Sequence, residues 1–131
     1  MIVDSSAVVA IMLKEPEREA MIAALDSEPG PRLSAASYLE CGVVLDRWLG
    51  PVAGRKLDQL LDRLGVQIEP VTEEQARVAR AAYRDFGRGS GHRANLNYGD
   101  CFSYALASVT AEPLLFKGDD FGHTDLRSAL P

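Results

Sequence analysis

The chain is short of cysteine, of long apolar runs and of positive charge. Its two cysteines, Cys41 and Cys101, are too few for a disulfide scaffold and too far apart for a metal knuckle. Its longest apolar run, Ala7-Val8-Val9-Ala10-Ile11-Met12-Leu13, falls well short of the ~20 residues that a bilayer span needs. No basic residue precedes that run and Asp4 stands just ahead of it, so no secretion signal fits. A reducing cytoplasm and no membrane partner are the expectation. Lys and Arg number 14 against 19 Asp and Glu, a net charge of −5. That excludes a protein that holds nucleic acid mainly by bulk charge. It leaves open an enzyme with a local basic surface, whose surplus acid is gathered where a metal ion neutralises it. No internal repeat and no interdomain linker are visible, and 131 residues are the length of one domain, 1–131.

What is present is enough for a folded core: 47% hydrophobic and 25% charged residues are ordinary for a globular protein. Met1-Ile2-Val3 reads as a buried strand ending at Asp4. Ser5-Ser6 opens a helix through Leu13, and a second runs from about Pro16 to Ser27. Pro29-Gly30-Pro31 stops it. A helix from Ser34 or Ser37 to Leu49 carries a capping-box pattern at Ser37 and Glu40, and its apolar residues surround it, as in a largely buried helix. Gly54–Leu64 is amphipathic, Val66–Val71 reads as a strand, and Thr72 with Gln75 caps a helix through Phe86. Residues 87–97 form a loop, Asp100 opens the last long helix, and Pro113–Phe116 is the last strand. Strands separated by helices imply an α/β fold, a parallel sheet with helices on both faces.

The acids fall at telling places. Asp4 follows the first strand, Asp119 and Asp120 follow the last, and open parallel sheets build sites beyond such carboxyl ends. Asp100 starts a helix. Glu40 interrupts an apolar one, where an unpaired buried charge costs several kcal/mol. Each has a plain structural reading: Asp4 and Asp100 as helix caps, Glu40 as a capping-box partner, Asp119-Asp120 as a solvated loop. A divalent cation accounts for all of them together, because hard ions such as Mg²⁺ or Mn²⁺ take carboxylate oxygens. In phosphodiester hydrolysis such an ion activates water.

Met1-Ile2-Val3-Asp4-Ser5-Ser6-Ala7, Ser37-Tyr38-Leu39-Glu40, Asn97-Tyr98-Gly99-Asp100-Cys101 and Leu114-Leu115-Phe116-Lys117-Gly118-Asp119-Asp120-Phe121 resemble, in this order, the PIN domain signature. More closely, the chain resembles the VapC toxins of bacterial VapBC toxin–antitoxin pairs over its whole length. The resemblance implies a PIN-like three-layer α/β/α fold with a short central parallel sheet, and a Mg²⁺-dependent ribonuclease with Mn²⁺ as substitute. It implies a VapB-like antitoxin as partner, an RNA substrate and a homodimer. Asp4, Glu40 and Asp100 map onto the family's first three acids. Many relatives carry an acid where this chain has Gly118, so Asp119 and Asp120 are both candidates for the fourth. Ser5 keeps a hydroxyl at a position usually Thr, and the Ser6 hydroxyl is expected to support Asp4 or a bound water.

Arg77, Arg80, Arg84 and Arg88 recur at helical spacing, followed by His92 and Arg93. They read either as a solvated face with Glu73–Arg77 pairing or as a basic edge for RNA phosphates. Gly87-x-Gly89-x-Gly91 lacks the spacing and the preceding strand of a phosphate cradle and reads as a mobile loop. No nucleophile-elbow pattern surrounds a serine. Tyr38, Tyr98, Phe102 and Tyr104 read as core or interface. The leucines of 57–64 and the apolar helix 34–49 offer surface for a homodimer. Two other functions fit a small parallel α/β domain: a receiver-like phosphoacceptor domain using Lys117, and a catalytically inactive PIN-like binding module. Against the first, Glu40 lies on a helix and no mid-chain strand ends in an acceptor Asp.

Overall fold

The computed structural model describes residues 1–131. Four short parallel strands, β1 (Ile2–Val3), β2 (Arg32–Ser34), β3 (Gln67–Glu69) and β4 (Leu114–Leu115), form one sheet in the order β3-β2-β1-β4. The helices are α1 (Ser5–Met12), α2 (Arg18–Ser27), α3 (Ala35–Leu49), α4 (Ala53–Arg63), α5 (Glu73–Phe86) and α6 (Asp100–Thr110), with a single 3-10 turn at Asp120–His123.

Alternation along the strands divides the core between the two faces. Val3, Leu33 and Leu115 pack with Ala7, Ile11, Met21, Cys41, Leu45, Leu57 and Leu61 from α1–α4. Ile2 and Leu114 pack with Ala79, Ala82, Tyr104 and Leu106 from α5 and α6. The chain steps from β1 to β2 to β3 in one direction, then returns past β1 to β4. Right-handed crossovers therefore place α1–α4 on one face and α5–α6 on the other. The direction reverses at β1, so the crevice for a ligand opens beyond its carboxyl end.

Four expectations are corrected. Strand β2 is absent from the sequence reading, which runs from the Pro29-Gly30-Pro31 stop straight into a helix. It is only three residues long, too short to show a pattern. Helix α3 is not buried on most sides: Ser37, Cys41 and Leu45 face the core, while Leu39, Val43 and Trp48 are 67%, 56% and 70% exposed. The leucines of α4 are not free surface, because Leu57 and Leu61 are in the core and Leu60 and Leu64 pack against it. Loop 87–97 is pinned. Arg88 N–H donates to Leu96 O and Leu96 N–H to Phe86 O, both at 2.9 Å, with Ala94 and Leu96 buried and His92 edge-on to Phe86.

Candidate active site

Asp4 follows β1 directly and caps α1. Its Oδ2 accepts from the Ser6 backbone N–H at 2.9 Å, and its Oδ1 accepts from Ser103 Oγ at 2.5 Å. It is buried. The next residue, Ser5, donates its hydroxyl to Glu40 Oε1. The Ser6 hydroxyl has a different task from the expected one: it accepts from the Lys117 backbone N–H at 3.0 Å. It thereby ties the loop after β4 to the start of α1, and Asp4 is held by the Ser6 amide and by Ser103 instead.

Glu40 lies in the second turn of α3. The expected capping box at Ser37 does not form, because α3 starts at Ala35. Ser37 instead turns its hydroxyl inward to Ser103 Oγ, 3.1 Å away. Glu40 reaches the backbone before α6. A Cβ on Gly99 would overlap Glu40 Oε2 and lie 2.9 Å from Glu40 Cδ. Gly99 has ordinary helical angles, φ −64° and ψ −39°, so glycine is present here for room rather than for backbone freedom.

Asp100 and Asn97 form a reciprocal cap of the capping-box type. Asp100 N–H donates to Asn97 Oδ1 and Asn97 N–H donates to Asp100 Oδ2, both at 2.9 Å. Asp100 Oδ1 is left free. Asp4 and Asp100 are thus caps and cluster members at once, and the amino ends of α1 and α6 favour their negative charge.

Burial pushes the Asp100 carboxyl up to about 6, aided by the charges of Asp4, Asp120 and Glu40 and opposed by the Asn97 amide. Burial also raises the Cys41 thiol, with Asp4 and Glu40 adding to the shift. Cys101 rises to about 11 through burial and then through Asp100. Both thiols stay protonated packing groups. Asp120 is the acid of the last loop whose charge Asp100 feels; Asp119 precedes the 3-10 turn and is not among those charges. None of Asp4, Glu40, Asp100 or Asp120 has an ion-pair partner. Lys117, the nearest cation in sequence to Asp120, is committed to Glu15 and Glu17.

The donor set suits a hard divalent cation: all oxygen, all anionic, uncompensated, and with Asp100 Oδ1 free of any protein donor. No three side chains close around one point as a finished cage. The acids form an open cluster that a cation would draw together.

An apolar groove of ≈ 250 Å³ lined by Ala36, Leu39, Glu40, Tyr98, Gly99 and Phe102 borders Glu40. Tyr98 is not a core residue. It is 75% exposed and stands edge-on to Phe102. Beyond it a second groove, ≈ 320 Å³, runs along α5 to Arg80, which also borders the arginine surface of Arg77 and Arg84. Arg77 pairs with Glu73 and Arg84 with Asp85. Arg88 and Arg93 lie past the end of α5, exposed on the pinned loop, so the helical ladder has three arginines rather than four. Sequence reasoning missed Ser103 and Asn97 as partners of the acids and Ser37 as the partner of Ser103. Of these, only Asn97, three residues before Asp100, carries a local signal.

A family model for the PIN domain matches residues 1–126. The chain is 59% identical over 130 residues to Ribonuclease VapC28 of Mycobacterium tuberculosis, covering 99% of this chain and 98% of that protein. It is 54% identical over 129 residues to Ribonuclease VapC42 of the same organism, covering 98% of each. Among solved structures, VapC20 of M. tuberculosis, a sarcin-ricin loop cleaving toxin, matches with a TM-score of 0.77 at 19% identity, over 99% of this chain and 98% of that one. A toxin–antitoxin complex from Klebsiella pneumoniae matches with a TM-score of 0.68 at 16% identity, over 92% of this chain and 88% of that one. At such identities these two speak for the fold, and the close sequence relatives carry the rest. Matched by the PIN model over nearly its whole length and by VapC ribonucleases at more than half of its positions, the chain belongs to the PIN domain family, among its VapC ribonucleases.

Proposed function

We propose that the protein is the toxin of a type II toxin–antitoxin pair, a Mg²⁺-dependent endoribonuclease of the cytoplasm. The observation that carries this reading is the uncompensated carboxylate cluster at the reversal point of the sheet, in a chain closely similar to VapC ribonucleases. Asp4, Glu40, Asp100 and Asp120 would hold the ion. When bound, Mg²⁺ polarises a phosphoryl oxygen and makes water nucleophilic near neutral pH. The chain's own part is positioning. Ser103 and the Ser6 amide fix Asp4, Ser5 fixes Glu40, and Asn97 fixes Asp100. Arg80, with Arg77 and Arg84 beside it, offers phosphate contacts on a path that passes Tyr98 to the acids.

Cleavage is expected to require a divalent cation and to leave 3′-hydroxyl and 5′-phosphate ends. A labelled RNA incubated with Mg²⁺, with Mn²⁺ and with excess EDTA tests this. Cleavage that persists in EDTA, or products ending in a 2′,3′-cyclic phosphate, would overturn the metal reading and leave attack by the ribose hydroxyl.

The antitoxin and a second copy have separate places to bind. The groove beside Glu40 fits an apolar antitoxin segment that sets a Lys or Arg among the acids. Trp48 lies eight residues beyond Glu40 along α3, about 12 Å away, next to exposed Leu49 and Val52. A homodimer seated there needs ~800 Å² per partner. Sedimentation is expected to give twice the 14.2 kDa chain mass at micromolar concentration, and Trp48→Glu to give the monomer. A wild type that sediments only as a monomer would remove the dimer.

A further inference from the structure

We infer that Ser37 and Ser103 form a hydroxyl relay that positions Asp4 for the cation, with Ser37 donating to Ser103 Oγ and Ser103 donating to Asp4 Oδ1. The inference rests on the metal reading above. The direction of the relay follows from counting protons. A serine hydroxyl has one proton to give, and that of Ser103 is committed to Asp4 at 2.5 Å. The 3.1 Å contact between the two hydroxyls therefore has Ser37 as donor. Hydroxyls in such a chain polarise one another, so the outer donor strengthens the bond to the carboxylate.

Both serines sit in the first turn of their helices, as the third residue of α3 and the fourth of α6, and are buried, Ser37 at 2% and Ser103 at 0% exposure. Serine is a modest helix former, and burying a hydroxyl is unfavourable unless it is bonded. Alanine would pack these positions without either cost. What the hydroxyls supply is a link between the three elements that carry the acids. Ser37 is one helical turn before Glu40 on α3, Ser103 is one turn after Asp100 on α6, and Asp4 directly follows β1.

The link is neutral, and that matters for the chemistry. A lysine or arginine in the same place would hold Asp4 more strongly, but it would cancel the charge that attracts a cation. A hydroxyl fixes the orientation of the carboxylate and leaves its charge in place. Ser37 and Ser103 are positioning residues: they act on the ion through Asp4.

The test is titration calorimetry with Mg²⁺ alone, without RNA, repeated with Mn²⁺, and with melting temperatures recorded in EDTA and in Mg²⁺. Ser103→Ala is expected to weaken Mg²⁺ binding by about 10–100-fold, as removal of partners of metal ligands does. Ser37→Ala leaves the bond to Asp4 and is expected to weaken binding by only about threefold. The double variant is expected to bind no more weakly than Ser103→Ala, because Ser37 acts only through Ser103. The rise in melting temperature on adding Mg²⁺ should shrink in the same order. Ser34→Ala is the matched control. Its hydroxyl is buried nearby without a hydrogen-bond partner, and its removal should leave Mg²⁺ affinity unchanged.

Ser103→Ala binding Mg²⁺ as the wild type does, while melting lower by the same amount with and without Mg²⁺, would make the pair simple packing and overturn the relay. If Ser103→Ala does not fold, Ser37→Ala decides, and unchanged affinity there overturns the relay. A wild type that takes up no Mg²⁺ would bring down the metal reading as well.

Discussion

Asp100→Asn is expected to melt at the wild-type temperature or up to ~5 °C above it in EDTA at pH 7, while cleavage in Mg²⁺ falls by ~10²–10³-fold, the scale of losing one charge-stabilising group. In the fold, burial first and then the neighbouring acids hold the Asp100 carboxyl near 6, whereas in the unfolded chain it titrates near ~3.9. A carboxyl raised on folding binds its proton more tightly in the native state. Its contribution to stability is therefore greatest below about pH 4, falls as pH rises to about 6 and stays low above that. With solvent screening of a partly exposed group taken into account, the cost at pH 7 is on the order of 1–2 kcal/mol.

Asn removes that cost. Its amide oxygen can accept from Asn97 N–H as the carboxylate does, and its NH₂ can face the remaining acids. What it gives up is the attraction to the start of α6, ~0.3–1 kcal/mol. Melting curves in EDTA at pH 4.5 and pH 7 separate these effects, because the advantage of Asn should grow between the two. In Mg²⁺ the order should narrow or invert, since only the wild type gains fully from binding. A variant that melts clearly lower in EDTA at pH 7 would mean that Asp100 serves the fold as a cap and that the acids do not repel.

Gly99→Ala is expected to lower cleavage by ~10²-fold, the penalty of misplacing a reacting group by about 1 Å, and to leave the melting temperature within a few degrees of the wild type. The new methyl would occupy the place of Glu40 Oε2. Asn97 Oδ1, 3.3 Å from the new methyl, is held in place by the Asp100 N–H, so Glu40 moves and loses its hydrogen bond from Ser5. The loss of about 1 kcal/mol is offset by the ~0.4–1 kcal/mol that alanine contributes by restricting the unfolded chain. Gly42→Ala is the control. It lies on α3 two residues from Glu40, with nothing within 4 Å of the added Cβ, and should gain stability at unchanged activity. Wild-type cleavage by Gly99→Ala would show that Glu40 need not rest against this backbone.

Whether a feature was legible in the sequence depended on how locally it was encoded. Thr72 caps α5 as read, accepting from Gln75 N–H, because both partners lie within one turn. The strand ending at Asp4 and the helix from Asp100 were readable for the same reason. Ser37 and Ser103 reach partners 66 and 99 positions away, and no spacing rule connects them. The capping-box pattern at Ser37 misled because it is local, and a buried hydroxyl partner outweighs it. For α3, composition showed apolar residues all round, but only the row Ser37, Cys41 and Leu45, at steps of four, is fully buried. Surplus apolar surface directed at a partner looks the same in sequence as surface directed inward. Asp119 and Asp120 are equivalent as letters, and only the fold shows that the charge of Asp120 is among those that raise Asp100.

The place of β1 has a consequence for synthesis. β1 is made first, yet it lies between β2 and β4, and β4 is the last of the four strands to be made. Asp4 donates its backbone N–H to Leu115 O, and the loop carrying Asp120 is docked through Lys117 onto Ser6. A nascent chain emerging at ~5–20 residues per second therefore holds Asp4 and Glu40 long before their remaining partners exist. The acids come together only after β4 and the loop that follows it have been made and docked beside β1.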